Sequence, residues 1–412
     1  MLGRVTCFFV SLKDYNRSFW AANVSELFER VAFYGMTPML VVYLTEARHI
    51  PDATAIRISG NFGMVTYGLA ALSGFLADLL GYRRAILLAY ALLSVGYLAT
   101  GQATSYGGIL AALLLVAVGA SLIKPIITGT VQKSCSDAQR AVGFSVYYTL
   151  VNVGGSIGPN LSAAVRGRFG VESVFVSSAA AAAVALLLVL LVYREPAGPE
   201  AGDKRTLGQF GGDFLRVITN PRLMLLFLFV ACFWSMFFAF MNVLPLYLRD
   251  DLHVSPALLG LIPSLESIAV ICLQVIVGYL VRGMAPFRAI LLAILVSAAG
   301  VAFMGVYPLA LFAGLGVMIF ALGEMIYSAH FYHYLGNMAP KGQTGMYMGF
   351  AFLPIAMGSF ISGQIGGPIA SYFRVTLQAP QMMWFGFAAV GLAAGIGLAV
   401  LTRTSTPSDR VA

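Results

Sequence analysis

REPAGPEAGDKRTLGQFGGDFLRVITNPR, residues 194–222, differs in kind from the sequence on both sides of it. It holds Arg194, Glu195, Glu200, Asp203, Lys204, Arg205, Asp213 and Arg216, interrupted by Pro196, Pro199 and several glycines. Charge mixed with helix-breaking residues reads as a solvated linker. A membrane helix needs roughly 20 mostly apolar residues, and six such runs precede the linker and six follow it. The first six are 19–46, 57–78, 85–101, 106–130, 140–165 and 173–193. The second six are 222–249, 255–281, 286–304, 309–335, 343–372 and 380–402. The expectation is an all-α membrane protein of twelve transmembrane helices in two six-helix halves. An N-terminal bundle takes 1–193, a cytoplasmic linker 194–221 and a C-terminal bundle 222–412.

Composition points the same way. Of the 412 residues, 59% are hydrophobic and 10% charged, against about 45–50% and about 25% in soluble domains. Mean hydropathy is +0.85. Such a chain is not an ordinary soluble enzyme, a nucleic-acid-binding domain or a disordered scaffold. The net charge of +8 follows from topology. With both termini inside, seventeen of the 25 Lys and Arg residues fall in cytoplasmic segments and six outside, while Arg30 and Lys124 lie within spans. That bias fits the positive-inside rule and a plasma (inner) membrane location, multi-pass, with both ends cytoplasmic. Cys7, Cys135, Cys232 and Cys272 form no ligand spacing, so neither a disulfide framework nor a zinc site is expected. The apolar stretch after Arg4 is too short for a signal peptide.

After the second span comes Gly74-Phe-Leu-Ala-Asp78-Leu-Leu-Gly81-Tyr-Arg83-Arg84, and after the eighth Gly278-Tyr-Leu-Val-Arg282. The first resembles the loop signature of the major facilitator superfamily, with Leu79 where a basic residue is usual; the second is a degenerate copy. Six plus six helices around a charged linker is similar to that superfamily over the whole chain. Asp78, Arg83 and Arg84 are then candidate gating-loop residues, with Asp78 capping or pairing near a neighbouring helix end.

Ionisable groups inside spans cost about 2.5–3.5 kcal/mol each on insertion scales and mark function by default. Here they are Glu26, Glu29, Arg30, Lys124, Glu266 and Glu324. The first span runs inside to outside and the fourth returns, which places Glu26, Glu29 and Arg30 at about the depth of Lys124. Glu26 and Arg30 are i,i+4 and share a face; Glu29 is turned about a quarter of the helix away. Two acids and two bases at one level can neutralise one another. The expected coupling device is an ion pair from Glu26 or Glu29 to Lys124, released on protonation so that Lys124 meets substrate. A purely structural cluster is the plainer alternative, though apolar packing would serve that purpose as well.

Glu26-Leu-Phe-Glu29-Arg30-Val-Ala-Phe-Tyr34-Gly35 is similar to the signature E-x-x-E-R-F-x-Y-Y-G of proton-coupled oligopeptide transporters, departing at Val31 and Phe33. Tyr67, eleven residues before Asp78, matches that family's second-span tyrosine. Leu122-Ile-Lys124-Pro125 matches its fourth-span lysine, and Phe144-Ser-Val-Tyr147-Tyr148-Thr-Leu-Val-Asn152-Val-Gly-Gly-Ser-Ile-Gly158-Pro159 resembles its fifth-span motif. Glu324 stands where its tenth span has a glutamate. The second half departs further: Phe233 to Asn242 has no acid where the family has a seventh-span glutamate, and Glu266 falls near a usual asparagine. The resemblance implies a substrate carboxylate on Arg30 and Lys124, and an amino group on Glu324 with Asn152. Tyr34 and Tyr67 would contact the peptide backbone, and Glu266 joins the candidate substrate-binding set.

The implied activity is alternating-access, proton-coupled symport of short peptides or similar zwitterions, not an enzyme reaction. Protons are the coupling ion; no other cofactor, no metal and no nucleic acid is expected, and the partners are substrate and lipid bilayer, with the chain a monomer. The same architecture with another solute stays open, as drug efflux or as nucleoside or sugar uptake. A receptor or scaffold would need a larger soluble region. His330 and His333 are i,i+3 near the end of the tenth span, read first as interfacial residues and alternatively as a proton relay or substrate contact. Trp234, Phe237 and Phe238 are expected to face lipid, with a side-chain pocket as the alternative. Pro125, Pro245, Pro263 and Pro354 are candidate kinks.

Overall fold

The computed structural model describes residues 15–195, 207–338 and 348–404. Before the linker lie α1 (Arg17–Glu46), α2 (Asp52–Leu80), α3 (Tyr82–Gln102), α4 (Tyr106–Ser134), α5 (Asp137–Phe169) and α6 (Ser173–Val192). A short α7 (Leu207–Ile218) follows, then α8 (Pro221–Asn242), α9 (Pro256–Val281), α10 (Pro286–Met304), α11 (Ala310–Met338), α12 (Phe352–Ser371) and α13 (Met383–Thr404). α8 runs on through Leu244–Leu246 and the π-helical Tyr247–Asp251, and α12 through the π-helical Tyr372–Thr376. Among the described residues there is no strand, and twelve helices have 19 residues or more. Ten are long and apolar enough to cross a membrane. The other two, α2 and α5, are as long, and α5 is the more polar of them. These two helices pack lengthwise against the opposite half, α2 on α12 and α5 on α9.

The helix starts follow from the sequence. Asn16 accepts from the Phe19 amide at 2.8 Å ahead of α1, and Ser105 accepts from Gly108 ahead of α4. Ser136 and Gln139 form a reciprocal capping box on α5. Asn220-Pro221 and Ser255-Pro256 place a capping side chain before a proline in the first turn of α8 and α9. Pro125 and Pro263 lie inside α4 and α9. Pro354 sits in the first turn of α12, where the missing N–H breaks no helix bond.

The linker is not featureless. α7 buries Val217, and Phe214 meets Phe350 with ring centroids 6.0 Å apart. Within the linker a short amphipathic helix, most of it exposed, touches the second half. Glu195 reaches back to the second-to-third helix loop, accepting from the amides of Tyr82 at 2.9 Å and Arg83 at 3.4 Å. It therefore caps α3, the task expected of Asp78, whose side chain lies outside the described ones. Arg83 donates to the Leu190 carbonyl at 3.2 Å, and Arg84 is exposed.

At the end of the bundle away from the linker, the halves are tied together. Ser59 donates to Asn242 at 2.9 Å, Ser359 to the Gly60 carbonyl at 3.0 Å and Gln364 to Asn61 at 3.1 Å. Arg374 donates to Asp52 at 2.7 Å across the halves and to Asp251 at 3.1 Å within its own. Arg249 pairs with Glu46 at 3.6 Å. Glycine is required where α2 and α12 cross: a Cβ on Gly363 would stand 2.8 Å from the Gly60 Cα.

Candidate functional site

α1 carries its ionisable triad into the protein interior. Glu26 and Glu29 are fully buried and Arg30 is 3% exposed. Gly154 makes this possible from the other side, because a Cβ there would meet the Arg30 Cβ and stand 3.0 Å from the Leu27 carbonyl. α5 therefore packs directly over the arginine stem. Arg30 Nε lies 3.2 Å from Glu26 and hydrogen-bonds Glu29. The guanidinium also sits 5.3 Å from the Phe33 ring centroid and 5.7 Å from that of Tyr34, close enough for a favourable cation–π contact.

This pairing differs from the one expected. Glu29 was placed a quarter-turn off the Arg30 face, yet it binds Arg30, since a long side chain can fold back over a neighbour. The ion pair expected between Lys124 and an acid is replaced by pairing of both acids with Arg30. Among the described residues no carboxylate lies within ion-pair distance of Lys124. Three oxygens of the acid pair, both on Glu26 and one on Glu29, accept no hydrogen bond.

Arg30 and Lys124 do meet at one cavity, as their depths implied. Arg30, Phe33, Tyr67, Ser121, Lys124 and Phe352 line it among others. The space is about 10 Å³, room for a single water. Phe352 comes from the second half, with the Lys124 ammonium 6.0 Å from its ring centroid. Tyr67 stacks on Phe352 at 6.5 Å and meets Phe238 at 5.8 Å. Phe352 and Phe238 thus bring the second half against the cavity wall that the first half supplies.

The second half supplies the acids. Glu266 on α9 is buried and accepts from the Ser267 hydroxyl at 2.8 Å. Glu324 on α11 comes within hydrogen-bonding reach of Glu266 and lies in electrostatic range of Lys124. Asn152 donates to the Tyr148 carbonyl of its own helix at 2.9 Å. Tyr34 is half-buried and lies in electrostatic range of both Glu266 and Glu324.

Trp234, Phe237 and Phe238 are corrected from lipid-facing to interior. Phe237 and Phe238 are buried, and Trp234 donates to the Tyr327 hydroxyl at 3.3 Å. With Phe233, Phe320 and Tyr327 they form a continuous aromatic stack. The run of aromatics at consecutive positions hid its inward side, because i,i+3 and i,i+4 partners occur on both faces. His330 is buried, with its ring nitrogens 3.1 Å from the carbonyls of Ile326 and of Val281, the last residue of α9; the His333 side chain lies outside the described ones. No group of three or more metal-ligating side chains occurs among the described residues.

Residues 24–363 match the model of the Major Facilitator Superfamily. A di-/tripeptide transporter of Lactococcus lactis is 32% identical over 151 residues, 34% of this chain and 30% of that protein. Dipeptide and tripeptide permease A of Salmonella typhi is 30% identical over 176 residues, 41% of this chain and 35% of the permease. The chain thus spans about a third of the length of the curated relatives it matches. A crystal structure of a peptide transporter POT in complex with sulfate superposes with a TM-score of 0.76 at 19% identity, covering 96% of this chain and 95% of the other. A POT family transporter in complex with 5-aminolevulinic acid superposes with a TM-score of 0.77 at 18% identity, covering 95% and 99%. These solved structures share the fold.

Proposed function

The chain belongs to the Major Facilitator Superfamily, and on that premise we propose that it is a symporter carrying short peptides or similar zwitterions together with protons. The observation that carries the reading is the meeting of Arg30 and Lys124 at one cavity, with Glu324 of the other half in electrostatic range of Lys124. A zwitterion needs a positive and a negative wall, and each half of the protein supplies one. The guanidinium can hold a carboxylate through two hydrogen bonds, and the lysine adds a point charge. Glu324 and Glu266 take the amino group. Tyr34, Tyr67 and Asn152 contact the backbone, and the stack around Trp234 and Phe238 gives side chains an apolar surface. The named relatives are transporters and permeases of di- and tripeptides, which supports this substrate class.

Coupling runs through Arg30. Glu26 and Glu29 together carry one charge more than Arg30 can balance, and their hold on it competes with a substrate carboxylate. A proton on Glu29 removes one competitor and turns the guanidinium toward the cavity. The cytoplasmic side is the linker end, with both termini there, the membrane is the inner membrane, and the working unit is one chain.

The test of the substrate is counterflow without any gradient. Labelled di-alanine should enter proteoliposomes preloaded with unlabelled di-alanine, and N-acetylated di-alanine, which lacks the ammonium, should not compete. Exchange of a nucleoside, sugar or cationic drug that di-alanine does not inhibit would assign the site to another solute.

A further inference from the structure

Glu266 and Glu324 come from different helices, α9 and α11, and meet. Glu266 is 5% exposed and receives a 2.8 Å hydrogen bond from Ser267. Its carboxyl is within hydrogen-bonding reach of Glu324, and the Glu324 Oε2 is buried without a hydrogen-bond partner. Neither acid forms an ion pair with a described cation, in contrast to the Glu26–Glu29–Arg30 cluster. The groups facing the pair are Tyr34 from α1, Tyr67 from α2, Lys124 from α4, Tyr148 from α5, and Tyr327 and Tyr332 on α11 itself. Tyrosines are ordinarily neutral near pH 7, so Lys124 is the lone cation named, and it stands outside ion-pair distance.

Two carboxyl groups within hydrogen-bonding reach, one of them buried and the other with a buried oxygen, do not both ionise, because like charges repel and no described cation lies within ion-pair distance of either. A hydrogen bond between two carboxyl oxygens also needs a proton, since ionised carboxylates only accept. We propose that Glu266 and Glu324 hold one proton between them, making a second proton site in the C-terminal half, separate from the α1 cluster. The proton comes from water when the site is open on one side and returns to water when it opens on the other. No bond other than O–H is made or broken. The shared proton lowers the charge of the pair from two to one, which matches a single ammonium, and the unpartnered Glu324 oxygen is left to accept from it. The use of this proton in transport rests on the symport reading above; the holding of it does not. The site also gives the second half, which has no acid in the Phe233–Asn242 stretch of α8, a titratable group of its own.

Infrared spectroscopy of the purified full chain at neutral pH tests this without any substrate. A protonated carboxyl has its own C=O stretching band, distinct from carboxylate bands. The expected result is such a band in the natural protein that persists in Glu29→Gln, moves in frequency in Glu266→Gln, where an amide replaces the sharing partner, and is lost in Glu266→Gln/Glu324→Gln. Persistence of the band in the double variant would put the proton elsewhere and overturn the proposal. An unmoved band in Glu266→Gln would overturn the sharing and leave two independent acids. Failure of di-alanine exchange would count against the peptide reading alone and leave this measurement standing.

Discussion

Replacing Arg30 by alanine strips the cation from two carboxylates that have no water to fall back on. Glu26 and Glu29 are 0% exposed and Arg30 is 3%, with Arg30 3.2 Å from Glu26 and hydrogen-bonded to Glu29. Removing one partner of a buried pair costs roughly 3–5 kcal/mol, because the partner left behind is an uncompensated buried charge. That corresponds to roughly two to three and a half powers of ten in the folded-to-unfolded ratio at about 1.4 kcal/mol per decade. Replacing all the charges together avoids the penalty, so Arg30→Ala/Glu26→Gln/Glu29→Gln should regain most of the loss. The assay is denaturation of the natural protein, the single variant and the triple variant in the same detergent, followed by tryptophan fluorescence and by retention of the monodisperse species. Equal stability of Arg30→Ala and the natural protein would refute the reasoning, since Arg30 would then not be what keeps the two acids tolerable. A triple variant no better than the single one would refute it equally, by locating the loss in packing against Phe33, Tyr34 and Gly154.

Other outcomes follow from the same geometry. Lys124→Ala should leave stability within about 1 kcal/mol, since no described carboxylate is within ion-pair distance, yet abolish di-alanine binding measured by titration calorimetry; unchanged affinity would remove Lys124 from the site. Glu29→Gln should lose gradient-driven accumulation while counterflow continues, read in parallel proteoliposome assays; loss of both, or of neither, would contradict its coupling role. Gly363→Ala puts a Cβ 2.8 Å from the Gly60 Cα, where carbon atoms prefer 3.5–4.0 Å, so α2 and α12 must part by about 1 Å. Overpacking of this kind costs roughly 1–3 kcal/mol, paid only while that end is closed, and shifts the balance about 5–150-fold toward the open form. Spin labels at the ends of α2 and α12 away from the linker should show the longer distance gaining population; an unchanged distribution would mean this crossing does not hold the halves together.

The sequence carried the architecture well because hydrophobic run length is a local property. The span expected at 286–304 is α10 to the residue, and the remaining spans begin or end within a few residues of their helices. α7 was missed because Phe214, Leu215, Val217 and Ile218 make only one short apolar face among glycines and charges, and what makes it a helix is the surface it lies on. In the site, depth along antiparallel helices brought Arg30 and Lys124 to one cavity correctly. The i,i+4 spacing made the Glu26–Arg30 pair legible, but neither depth nor spacing gives side-chain direction, so the capture of Glu29 by Arg30 was not. The meeting of Glu266 and Glu324 depends on the rotation of α9 against α11, and the capping of α3 by Glu195 on a contact 113 residues apart in sequence. Neither has a periodicity that a sequence displays.

The most direct measurement is di-alanine uptake into proteoliposomes with and without an inward proton gradient and an inside-negative potential. About 2.3 kcal/mol per charge is available at 100 mV, enough for roughly fifty-fold accumulation at about 1.4 kcal/mol per decade. Symport requires di-alanine to accumulate above its outside concentration when the gradient is imposed, and a protonophore to abolish the excess. Protein shown to be folded that gives neither accumulation nor counterflow would contradict proton-coupled peptide transport.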